Sequence, residues 1–106
     1  MTDTTDREML EYAAKSAGYS LKWGREWHDK GVPLVDDKSW NPLDDDGDAL
    51  RLAVKLRLLI DTQYNNGVGV GSASIPWLWV STAVDPYAAT RRAIVRAAAE
   101  IGKGMK

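Results

Sequence analysis

Residues 58–71 read Leu58-Leu59-Ile60-Asp61-Thr62-Gln63-Tyr64-Asn65-Asn66-Gly67-Val68-Gly69-Val70-Gly71. The first half is a short apolar run with β-branched and aromatic members, which reads as a strand. Asn65-Asn66-Gly67 is a strong hairpin signal, because Asn and Gly accept the positive φ that tight turns between strands demand. The following Val-Gly-Val-Gly can pair back, although its glycines weaken a strand or mark a bulge. Ile75-Pro76-Trp77-Leu78-Trp79-Val80 is a further candidate strand. An antiparallel arrangement follows from this turn.

Working outward, a helix is expected over residues 5–17. Thr4 or Thr5 caps it, Asp6 and Glu8 sit in its first turn, and Gly18 stops it. Met9, Leu10, Ala13, Ala14 and Ala17 share one face. Residues 19–23 alternate and read as a strand, residues 24–30 as a turn or loop, and residues 32–35 as a short strand whose Pro33 suits a sheet edge. A second helix is expected from Asp45 or Asp46 to about Leu56, with Leu50, Ala53 and Val54 inward and Leu52 and Leu56 widening the stripe. Asp85-Pro86 opens a last, alanine-rich helix to about Ile101, ended by Gly102 and Gly104. The expected fold is a single α/β (α+β) domain over residues 1–106. It is a two- or three-layer sandwich, with a mainly antiparallel sheet of about four strands flanked by about three helices.

Composition narrows the chemistry. The 106 residues include five Trp and four Tyr but no Phe. Indoles and phenols carry polar handles and favour core boundaries and interfaces. Without cysteine there is no disulfide, thiolate nucleophile or cysteine zinc site, and with His28 as the one histidine there is no multi-histidine metal site. No apolar run approaches the roughly 20 residues of a membrane helix. The N-terminal stretch lacks a signal-peptide pattern, so a cytoplasmic address is expected. Charge is uneven. Residues 26–50 hold eight acids against two bases, a balance of −6; residues 86–106 hold five bases against Glu100, a balance of +4. Intramolecular complementarity is the favoured explanation over two separate binding surfaces.

Two segments carry a resemblance. One is Trp40-Asn41-Pro42-Leu43-Asp44-Asp45-Asp46-Gly47-Asp48-Ala49-Leu50-Arg51-Leu52-Ala53-Val54-Lys55-Leu56. The other is Asp85-Pro86-Tyr87-Ala88-Ala89-Thr90-Arg91-Arg92-Ala93-Ile94-Val95-Arg96-Ala97-Ala98-Ala99-Glu100-Ile101-Gly102. Together, and with the first helix ahead of Gly18, they resemble small bacteriophage and prophage proteins with the phage ABA sandwich domain. The resemblance covers most of the chain and is weakest over residues 58–84. It implies an α/β sandwich with helices flanking a sheet, and a phage-encoded protein working in the cytoplasm of a bacterial host. It implies no catalytic residue and transfers no activity.

The acidic block is the main candidate for chemistry. As a calcium loop it fails: with Gly47 at loop position six, Asp46 and Asp44 fall at five and three, but Pro42 falls at one and Ala53 at twelve. Asp44, Asp46 and Asp48 could still serve a magnesium-assisted hydrolase. Helix capping explains them better, since free N–H groups and the positive helix end attract carboxylates. Arg92 and Arg96 lie four apart on one helix face, with Arg91 about 100° away. Trp77 and Trp79 lie two apart and share a strand face. His28 beside Asp29 specifies no catalytic geometry, and the Gly-rich run lacks the spacing and following helix of a phosphate loop.

The expected function is that of a small, non-enzymatic phage accessory protein without cofactor or metal. It acts through binding a host or phage protein or through self-association, and Trp77, Trp79, Arg92 and Arg96 are the contact residues. The alternative is nucleic-acid or nucleotide binding through Arg91, Arg92, Arg96 and exposed Trp. Behind both stands the hydrolase built on Asp44, Asp46 and Asp48.

Overall fold

The computed structural model describes residues 5–24, 32–63, 66–82 and 84–105. Its elements run α1 (Asp6–Ala17), β1 (Leu21–Gly24), β2 (Val32–Val35), β3 (Lys38–Ser39), α2 (Asp46–Leu56), β4 (Leu59–Asp61), β5 (Gly67–Ser72), β6 (Ile75–Ser81) and α3 (Pro86–Lys103). Among the described residues the architecture is α+β, with three helices and two antiparallel sheets of three strands each, ordered β1-β2-β3 and β4-β5-β6. The expected sheet of about four strands is thus corrected to six strands in two sheets. The missed strand, β3, is two residues long and follows a turn through Asp36 and Asp37, at φ 53° and 63°. Two successive positive φ values match a tight hairpin, and Asp tolerates them better than most residues.

Helix ends follow local chemistry. Thr5 caps α1 in a full capping box with Glu8, and Gly18 closes it in the left-handed region. The Thr5 backbone and side-chain hydrogen bonds hold the Glu8 carboxyl below its ordinary range. Asp45 caps α2 by accepting the Asp48 N–H, and Asp85 caps α3 ahead of Pro86. Asn66 takes φ 57° before β5, as the hairpin reading requires. Tyr64 and Asn65 lie outside the described residues, as does most of the loop expected over residues 24–30.

The core gathers around α3, which touches α1, α2, β5 and β6. One cluster joins Met9, Leu10, Ala13, Ala14 and Ala17 of α1 to Ala49, Leu52 and Ala53 of α2 and to Ile94, Val95, Ala98 and Ala99 of α3, with Trp40 beside them. A second packs Val68 and Val70 of β5 on Ala89, Ala93 and Ala97 of α3. Small side chains let these elements approach closely. Gly102 is inside α3, not at its end as expected, and it lies against the Tyr12 backbone of α1.

Two orientations differ from the reading of the sequence. Leu50 and Val54 point outward, 61% and 67% exposed, while Leu52 is fully buried. Pro33 sits in β2, the central strand, rather than at an edge. It fits because the Trp40 N–H donates to the Pro33 carbonyl at 2.9 Å, which turns the missing Pro33 N–H toward Trp40, beyond the end of β3. Opposite Trp23, by the alternation of an antiparallel ladder, the pair is the non-bonded kind and needs no donor.

Candidate functional site

Each carboxylate of the acidic block has an internal task. Asn41 begins a turn, its carbonyl accepting the N–H groups of Asp44 and Asp45 and its side-chain oxygen that of Leu43. Asp45 Oδ2 accepts the Asp48 N–H at 2.7 Å. Asp48 Oδ2 accepts the Asn41 N–H at 2.9 Å, and its Oδ1 accepts from Arg51 Nη2 at 2.8 Å. Asp46 Oδ1 pairs with Arg91 Nη1 at 2.7 Å, and Arg91 Nε donates to the Leu43 carbonyl at 2.8 Å. Asp44 accepts from Asn41 Nδ2 at 3.3 Å. The hydrogen bond that Arg51 donates to Asp48 raises the already high Arg51 pKa further, so that guanidinium stays charged.

An open cleft of about 700 Å³ lies over this block, lined by Val32, Pro33, Ser39, Asn41, Asp44, Asp45, Asp48 and Arg51. Of its carboxylates, Asp45 caps α2, Asp48 pairs with Arg51, and Asp44 accepts only from Asn41. Among the described residues, no group of three His, Asp or Glu comes together as a metal-holding set. Asp45→Ala is expected to cost about 1 kcal/mol, the usual worth of an N-cap, lowering the unfolding midpoint by about 5 °C. Asp44→Ala, which removes no cap, is expected to leave that midpoint nearly unchanged in the same thermal scan followed by circular dichroism.

The expected complementarity with the acidic block holds for one of the three arginines. Arg91 ties α3 to the acidic block, and Arg92 Nη2 pairs with Asp6 of α1 at 2.8 Å. Arg96 is exposed and forms no ion pair with another described residue. The three therefore do not converge on one surface.

The tryptophans divide by task. Trp40 is buried and meets Tyr19 edge to face, with centroids 5.6 Å apart. Trp23 lies against α1, its Nε1 donating to Glu11 at 3.1 Å and the Arg7 guanidinium 4.1 Å from its ring centroid. Trp27 lies outside the described residues, as does His28. Trp77 and Trp79 project from β6 on the face of its sheet turned away from α3. Alternation explains this: Leu78 and Val80 face the core with Val68 and Val70, so Trp77 and Trp79 must face out.

The outer face has an unusual floor. Strand β5 presents Gly67, Gly69 and Gly71 there, and the indoles occupy the space that side chains would fill. A Cβ at Gly69 would overlap the Trp77 ring, one at Gly71 would stand 2.7 Å from Trp77 Cε3, and one at Gly67 would overlap Trp79. Each indole thus lies across glycine backbone, covering it and leaving 39% of Trp77 and 46% of Trp79 exposed. Across the sheet, Leu59 stands opposite Gly71 and Asp61 opposite Gly69, and both are exposed. These two residues were missed from the sequence. The signal was the matched alternation of Gly67-x-Gly69-x-Gly71 and Trp77-x-Trp79, which places large rings beside empty positions.

The expected contact set is therefore split. Trp77 and Trp79 belong to the outer sheet face, whereas Arg92 and Arg96 belong to α3, which covers the opposite face of that sheet. No protein-family model, no curated protein and no solved structure matches the chain. Among the described residues, no helix is long and apolar enough to cross a membrane.

Proposed function

We propose that this is a small non-enzymatic accessory protein, of the phage type that the sequence resembles, and that it works by binding another protein through the outer face of β4, β5 and β6. The carrying observation is the pair of half-exposed indoles held against a glycine floor. Side chains so placed lose little further freedom on binding, and Trp is enriched at the centres of protein interfaces. The acidic cleft supports an enzymatic reading less well, because its Asp45 caps α2 and its Asp48 pairs with Arg51. Nucleic-acid binding draws less support for a similar reason, since Arg91 and Arg92 are already paired with carboxylates of the same chain.

The reading predicts that a Trp77→Ala/Trp79→Ala double variant keeps its far-ultraviolet circular dichroism while losing its partner. Affinity capture from infected cells, run beside sedimentation of the purified chain, checks this. A partner retained undiminished by the double variant would remove the sheet face from the mechanism. A strictly monomeric chain that captures nothing would end the binding reading altogether.

A further inference from the structure

Register brings two chemistries into one row of the outer sheet face. The Gly69 backbone lies between Asp61 and Trp79, while the indole over Gly69 is that of Trp77 and the Trp79 indole lies over Gly67, so both rings stand close to the Asp61 carboxylate's row. Two strand spacings separate Asp61 from Trp79, roughly 10 Å between backbones. Asp61 is exposed; its Oδ1 accepts the Gln63 backbone N–H at 2.9 Å, and it has no ion-pair partner among the described residues. Leu59 stands in the neighbouring row opposite Gly71, and the Trp77 ring extends from beside Gly71 across Gly69.

We propose that this face binds an extended, proline-rich peptide segment carrying an arginine. Prolines stack on Trp77 and Trp79, and the guanidinium pairs with Asp61. This rests on the reading that the face binds protein, and it names the chemistry of the partner.

Area, shape and charge select this occupant. Strand spacing and rise put the face on the order of 250 Å², far below the roughly 800 Å² a side of a stable interface between globular proteins. A second folded copy docked on this face alone is too small a contact, whereas a short segment fills it. Proline rings present flat, rigid surfaces, and a polyproline II strand arrives already ordered, so it matches broad aromatic surfaces at low entropic cost. One turn of that helix advances about 9 Å, close to the roughly 8 Å diagonal from Gly67, beneath the Trp79 ring, to Asp61. An arginine three residues from a stacked proline therefore reaches the carboxylate. The charge-assisted pair adds selectivity for a cationic segment, and the same carboxylate repels phosphates.

The test titrates the full chain with synthetic decapeptides, following tryptophan fluorescence and heat. The probes are a proline-rich peptide with one arginine, the same peptide with glutamate in that place, a glycine-serine peptide with one arginine, and cellohexaose. The arginine–proline peptide is expected to bind, with affinity falling about tenfold in Trp79→Ala. The glutamate peptide is expected to bind about threefold more weakly, a difference that disappears in Asp61→Asn. If Trp79→Ala does not fold, Asp61→Asn with the arginine and glutamate peptides carries the test, because that side chain is exposed and Asn keeps the acceptor for Gln63. No binding of the arginine–proline peptide, equal binding of the glycine-serine peptide, or tighter binding of cellohexaose would overturn the proposal. If the peptides fail while Trp77 and Trp79 still govern partner capture, the peptide class is wrong and the protein-binding reading stands.

Discussion

Gly102→Val is expected to lower the unfolding midpoint by on the order of 15 °C, or to leave the chain unfolded. The α1 and α3 backbones meet at this point. A Cβ at residue 102 would overlap the Tyr12 carbonyl oxygen and stand 2.7 Å from the Tyr12 carbonyl carbon. A flexible side chain could rotate away, but a helix backbone cannot. Relief requires moving α1, which loosens Ala13, Ala14 and Ala17 from their neighbours in the core. Overpacking of this kind costs about 3 kcal/mol, and each kcal/mol is worth roughly 4–8 °C in a domain of this size. Gly102→Ala gives the sharper test of sign. Alanine improves helix propensity by about 1 kcal/mol, so an uncrowded site would gain stability. We expect a loss instead. Gly104→Ala is the control: its nearest neighbour is 3.5 Å away and its φ is −80°, so alanine fits there. Thermal scans of the three variants by circular dichroism check this, and a raised midpoint for Gly102→Ala would refute the close approach of α1 and α3.

Leu52→Ala is expected to cost about 3 kcal/mol, within the usual 2–5 kcal/mol for emptying a well-packed leucine site. Leu50→Ala, two residues away, is expected to change stability by less than about 0.5 kcal/mol. Leu52 has 0% exposure between α1 and α3, and its removal leaves a cavity that alanine-rich neighbours cannot fill. Leu50 is 61% exposed, and alanine keeps the helix propensity that leucine supplied. Urea unfolding at constant m-value separates the two variants. Equal losses would mean that α2 is rotated about its axis relative to this structure.

That contrast shows where sequence reasoning reaches its limit. The apolar residues of α2 spread over more than half its circumference, and Leu50 and Leu52 project about 200° apart at the helical period. Either could face inward; the alanine faces of α1 and α3 selected Leu52. In α1 the apolar residues fall on one side with charges opposite, and the five expected inward residues are the five found buried. Pro33 shows the same limit in a sheet. Its missing N–H suggests an edge, but a central strand accepts proline where its neighbour has already ended. The candidate site was half legible. Alternation placed Trp77 and Trp79 on one face, whereas their neighbours Leu59 and Asp61 come from a strand whose register depends on β5 lying between.

Features set by three- or four-residue interactions could be read from the chain alone. These include the caps at Thr5, Asp45 and Asp85, the left-handed Gly18, the turn at Asn66 and the inward face of α1. Each depends on bonds or side-chain spacings inside one segment, so the local residues suffice. Packing between distant segments settled the rest: the division of six strands into two sheets, the rotation of α2, the close seating of Gly102 against α1 and the pairing of Asp46 with Arg91. Those outcomes depend on which surfaces meet, and local periodicity carries no information about the partner a surface will find.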